Sequence, residues 1–181
     1  MKTNLYKKSE RFAINSFKEN KNDILHAKRT VYWIKRLKPD ADEALLIAGI
    51  LHDIERAFYG DWKKGSDDPE LLRKHQNMCA REAEKFLKSE RAGAAFIKRV
   101  KSLVARHEEG GDEEQNILCE ADCLAYFEKK ALRHAKAGKR EGRERVMIKK
   151  LKYIFKRISS PRARKIALPF YKKALAELSD K

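Results

Sequence analysis

The sequence predicts an all-α fold, a single-domain bundle of about seven or eight helices. Three observations carry this. Apolar residues recur at helical rather than alternating spacing. Gly and Pro, which interrupt helices, number only 8 and 4 in 181 residues. One run, ALLIAGIL at 44–51, is apolar throughout, as expected of a helix buried on all sides. The chain is long enough for one domain with a substantial core.

Taken in order, residues 3–19 read as a first helix, with Leu5, Phe12, Ile14 and Phe17 as its apolar members. Asn22 or Asp23 can cap a second, running to about Lys38 with Ile24, Ala27, Val31 and Ile34 on one side and His26, Trp33 and Leu37 beside them. Pro39 ends it, and Asp40 or Asp42 caps the third helix, which leads directly into His52-Asp53. YGDWKKGSDD is a loop. Pro69 suits the first position of a fourth helix, which carries His75 and runs to about Ser89. A fifth extends from about Ala92 to His107, and EEGGDEE is a loop. The sixth, NILCEADCLAYF, is apolar apart from its start, Glu120 and Asp122. Two basic amphipathic helices follow at about 142–158 and 161–178, the first with Val146, Ile148, Leu151, Ile154, Phe155 and Ile158 as its stripe.

Composition narrows the classes. No apolar run approaches the ~20 residues of a membrane span, and the charged start MKTNLYKKSERF lacks the apolar segment of a signal peptide. The expected location is cytoplasmic. The three cysteines, Cys79, Cys119 and Cys123, read as free thiols. Cys119 and Cys123, four apart on a helix, could join histidines in a zinc site; burial as small hydrophobes is the preferred reading. Net charge is +16, and residues 128–173 hold 18 Lys and Arg against 3 Asp and Glu. The chain therefore divides into a core region, 1–127, and basic C-terminal helices, 128–181, packed on the same domain.

Chemistry is suggested by polar groups in apolar places. His52-Asp53 ends the most apolar helix, and Asp122 lies inside another apolar stretch. A buried carboxylate is costly unless it is paired, protonated or bound to a cation. Carboxylate and imidazole together suit Mn, Fe, Co, Ni or Zn. A lone His-Asp dipeptide means little. The ordered series His26, His52-Asp53, His75, His107, Asp122, each on or at the end of a different helix, means more.

That series resembles the HD superfamily of metal-dependent phosphohydrolases, over roughly residues 22–127. DILHAKRTVYWI would supply His26, LLIAGILHDIERAF His52 and Asp53, and ILCEADCLAYF Asp122. The resemblance implies an HD-type helical domain in which these four hold a divalent metal ion (Mn, Fe, Co, Ni, Zn or Mg), with Glu120 as the accompanying acid rather than a ligand. His75 and His107 match the extra histidines of two-metal members, in which Asp53 would bridge two ions; they equally suit phosphate binding or lining of the pocket. The Glu-Asp pair that follows the doublet in alarmone hydrolases is absent, as is the Gly-Tyr-Pro element of cyclic-dinucleotide phosphodiesterases.

The implied reaction is hydrolysis of a phosphomonoester or phosphodiester, with a nucleotide or related small molecule as the expected substrate. The ion would acidify a water and polarise the phosphoryl group. Asp53, His75 and Arg56 are the candidate catalytic residues. Arg56, three residues after Asp53, would neutralise phosphate oxygens, with Lys74 or Arg106 assisting, and His75 or Glu55 would act as acid or base. The competing class is a nucleic-acid-binding protein that uses residues 128–173 and keeps a vestigial or RNA-directed HD site.

Overall fold

The computed structural model describes residues 5–18, 20–60 and 68–179. Every regular element among them is helical: α1 (Leu5–Phe17), α2 (Lys21–Leu37), α3 (Glu43–Leu51), the single turn α4 (Arg56–Tyr59), α5 (Pro69–Ser89), α6 (Ala94–Val104), α7 (Glu113–Tyr126), α8 (Leu132–Arg140), α9 (Glu144–Lys156) and α10 (Pro161–Ser179). A π-helical turn, Phe127–Ala131, joins α7 and α8 into one rod. The expected 59–68 loop falls largely at 61–67, outside the described residues. Among those described, no helix is long and apolar enough to cross a membrane.

Local chemistry explains most boundaries. The Asp42 side chain accepts from Leu45 N at 3.1 Å and starts α3. Asp68 accepts from Glu70 N at 2.9 Å, with Pro69 as the first residue of α5. Asp112 and Gln115 form a reciprocal capping box that starts α7. It follows that the last two acids of EEGGDEE lie in the helix, not in the loop. α2 begins earlier than expected, capped by Asn20. Asp23 is thereby freed from a capping role and turns inward.

Two apolar clusters form the core. One joins α1 through α6 with the start of α7; the other joins α7 through α10, and Trp33 and Leu37 pack against both. α3 is buried all round, and Gly49 lets α2 approach it: a Cβ there would sit 2.4 Å from Ile34 Cδ1. Two expected core members face outward instead, Ile14 and Val146, at 42% and 47% exposure. Ala13 and Met147 take the inward places.

The main difference from the sequence reading is α8. No helix is expected between Phe127 and about residue 142, yet the rod runs on to Arg140. Its buried face is built from Ala131, Ala135 and Gly138, and a Cβ on Gly138 would lie 2.3 Å from Met147 Cγ. Small residues that admit a close helix crossing leave no large apolar stripe in the sequence.

Candidate metal centre

Five elements converge where the two clusters meet. α2 brings His26, the turn after α3 brings His52 and Asp53, α5 brings His75, the turn after α6 brings His107, and α7 brings Asp122. All six are buried. His107 stands beyond the end of α6 at Val104, rather than within a helix.

Asp53 is central, and its two oxygens face different partners. Oδ2 lies 3.6 Å from His52 Nε2 and 3.9 Å from His26 Nε2. Oδ1 lies 3.1 Å from His75 Nε2 and 3.9 Å from His107 Nε2. Asp122 Oδ1 closes the first side, 2.9 Å from His26 Nε2 and 3.5 Å from His52 Nε2. Ligand-type atoms also converge in the sets Asp53, His75, Cys79 and His75, His107, Glu108.

Ring orientation decides what these groups offer. His52 Nδ1–H donates to the Gly49 carbonyl at 2.9 Å, and His107 Nδ1–H donates to the Val104 carbonyl at 2.8 Å. A carbonyl only accepts, so each ring, when uncharged, presents its Nε2 lone pair to the cluster. Both Nε2 atoms are buried without a hydrogen-bond partner. Orphaned acceptors of this kind are costly unless something electrophilic meets them. His75 is held differently: Nδ1–H donates to the Glu55 carboxylate at 2.5 Å, leaving Nε2 toward Asp53. A carboxylate behind an imidazole is the usual support for a metal-binding ring.

The electrostatics favour positive charge. Burial raises the Asp53 carboxyl, but Arg56, His52 and His75 outweigh it and hold Asp53 well below the usual carboxylate range. Asp122 is likewise held well below that range: His26, His52 and Arg157 overcome its burial. Burial pushes His26 down to about 4, with Lys130 adding to the effect. Burial and the neighbouring His75 and His52 hold His107 well below its ordinary value. Burial also opposes charge on His75, yet Cys79, Asp53 and Glu55 hold its pKa well above normal. Burial opposes charge on His52 too, but Asp53 and Asp122 overcome it and raise its pKa. Ionised Asp53 and Asp122 beside the uncharged His26 and His107 imidazoles suit a divalent cation. These buried groups could hold a metal ion.

Other expected residues are placed less uniformly. Arg56 Nη1 pairs with Asp53 Oδ2 at 3.1 Å, its side chain 26% exposed. Glu55 is fully buried behind His75. Arg106 turns away to Glu109 and the Gly110 carbonyl, and Lys74 is exposed on α5; neither joins the cluster. Glu120 accepts from the backbone and hydroxyls of Ser159 and Ser160, at the start of α10. Cys119 and Cys123 are buried free thiols, with Cys119 against Arg157, not beside a histidine.

Sequence reasoning missed Arg157. Its guanidinium donates to Asp122 Oδ2 at 3.0 Å and to the carbonyls of His107 and Glu108, and pairs with the Glu108 carboxylate at 2.8 Å. It ties together two of the converging elements from the end of α9. Nothing in the local sequence sets it apart from the other cations, several of which also adjoin apolar residues of the stripe.

A family model described as a domain of unknown function (DUF4202) matches residues 7–178. The chain belongs to this family. No curated protein and no solved structure matches it. The DUF4202 match spans α1 to the end of α10 almost entirely, so the basic helices and the histidine cluster fall within one family unit.

Proposed function

We propose that this DUF4202 chain is a metal-dependent phosphohydrolase of the HD type, acting on a phosphomonoester or phosphodiester of a nucleotide or related small molecule. One observation carries the reading: Asp53 directs its two oxygens to two sets of histidines, among which His52 and His107 hold buried, unpartnered Nε2 lone pairs. In this reading His26, His52, Asp53 and Asp122 hold the first ion, and His75 and His107 with Asp53 are arranged for a second. The ion, when bound, supplies Lewis acidity and an acidified water. Glu55 fixes the His75 ring, and Arg56 holds negative charge at the edge. The three buried thiols fit a reducing compartment, the cytosol.

A hydrolysis screen over nucleotides and generic phosphoesters with Mn, Co, Ni, Mg and Zn tests this. Turnover that requires one of these ions and stops with chelator is the expected result. Protein that takes up none of them, measured by elemental analysis, refutes the metal reading.

A second reading rests on α8 and the turn before it. Lys129, Arg133, Lys136 and Arg140, at spacings of four, three and four, line one open groove with Lys139, Leu132, Glu128 and Glu177. If this groove grips nucleic acid, log K should fall against log salt by about 0.9 per duplex phosphate contact, a slope near −4 to −5 if all five cations engage. Replacing Lys136 and Arg140 with Gln should make that slope shallower and leave hydrolysis of a small phosphoester unchanged. Absence of binding at low salt in a filter or polarisation assay removes this reading.

A further inference from the structure

A second bridge joins α2 to the α7–α8 rod beside His26–Asp122. Asp23 stands three residues before His26, on the same side of α2. Its carboxylate meets Lys130 Nζ at 3.0 Å. Both residues are buried, at 6% and 8% exposure. His26, one turn on from Asp23, has its Nε2 3.9 Å from Asp53 Oδ2, the same oxygen that Arg56 Nη1 meets at 3.1 Å. Asp23, Lys130 and Arg56 therefore adjoin one edge of the histidine cluster.

The π-helical turn puts Lys130 there. In an uninterrupted α-helix the residue seven beyond Asp122 returns to its face, since seven steps of about 100° fall within ~20° of two full turns. That residue is Lys129, yet its side chain is 38% exposed while that of Lys130 is 10% exposed. The extra residue of the turn hands the inward place to Lys130. π-Helical turns within α-helices occur frequently at functional sites. A buried lysine is also an uneconomical way to join two helices, because an apolar pair of similar volume is often as stable or more so.

We propose that Lys130 and Arg56 form an anion subsite for a phosphate group of the substrate, with the Asp23 carboxylate occupying Lys130 until the anion displaces it. The proposal rests on the phosphohydrolase reading and deepens it, since it assigns substrate phosphate to chain residues outside the candidate ligand set. Lys130 has three N–H groups, and among the described residues it gives one hydrogen bond, to Asp23. Arg56 gives Nη1 to Asp53 and is partly exposed, so it marks the side from which an anion enters. Phosphate oxygens offer both cations charge-assisted hydrogen bonds.

The test uses inorganic phosphate as probe, titrated calorimetrically into the wild-type protein, Lys130→Met, Asp23→Asn and the double variant, each with its metal content measured. Wild type should bind phosphate, and Asp23→Asn should bind it at least as tightly, because Lys130 is released. Lys130→Met should bind about 10- to 100-fold more weakly, the range for loss of a hydrogen bond to a charged group. The double variant should recover the thermal stability lost in Lys130→Met without recovering affinity. A stable double variant that binds phosphate like wild type makes the pair a structural joint and overturns the subsite, as does wild-type protein that takes no phosphate. Failure of the phosphohydrolase reading shows separately, as absent metal in all four samples.

Discussion

On the proposed phosphohydrolase reading, Asp53→Ala is expected to reduce metal-dependent phosphoester hydrolysis to near the uncatalysed rate and to abolish uptake of at least one ion. The substitution removes the only group among the described residues that faces all four histidines of the cluster, with oxygens 3.1–3.9 Å from their Nε2 atoms. It also leaves Arg56 without its 3.1 Å partner and His75 with one carboxylate instead of two. The protein should stay folded, because the apolar clusters on either side are untouched, at a cost of about 1–3 kcal/mol for unpaired buried groups. Asp53→Asn keeps the volume and should fold better while remaining inactive. Elemental analysis and circular dichroism read the two effects separately. Turnover that survives Asp53→Ala would place the chemistry elsewhere in the molecule.

Arg157→Met should destabilise the fold by about 3–5 kcal/mol, the range found when one partner of a buried ion pair is removed. For a chain of this size that corresponds to a fall in Tm of roughly 6–20 °C. The guanidinium supports the Asp122 and Glu108 carboxylates and two backbone carbonyls, and its side chain is only 10% exposed. Without it, two carboxylates stand poorly compensated in the interior. Arg157→Lys keeps the charge but loses the planar fork that reaches several acceptors at once, and should fall between the two. Thermal and urea unfolding measure the difference. A change in Tm below about 3 °C would mean that the carboxylates find other support.

Much of this arrangement was legible because the relevant residues break local rules. His52-Asp53 interrupts an apolar helix, and Asp122 is an acid among apolar neighbours; each anomaly asks for a partner, and the fold supplies one. Helix starts at Asp42 and Pro69 were legible because their side chains act on the adjacent backbone. Residues whose role depends on distant chain were not. Arg157 is one of 18 cations between 128 and 173, and only tertiary packing separates it from its solvated neighbours. Glu108 sits in an acidic loop that reads as solvent-facing. Lys130 is hidden for a geometric reason: regular helical spacing points to Lys129, and the π-helical turn leaves no mark in composition. α8 escaped because its buried face is alanine and glycine.

The long reach of the bridges at the cluster has a consequence in time. His26 and Asp122 are 96 residues apart, and Asp122 is 35 residues from Arg157. At a synthesis rate of about 5–20 residues per second, His26 is made roughly 5–20 s before the carboxylate that faces it, and roughly 2–7 s more pass before Arg157 follows. For that interval the nascent chain carries His26, His52, Asp53 and His75 without the groups that enclose them. Side chains that could hold a cation are thus exposed to the surroundings of the ribosome before their enclosure exists, and on the proposed reading the choice of ion would belong to the last stage of folding.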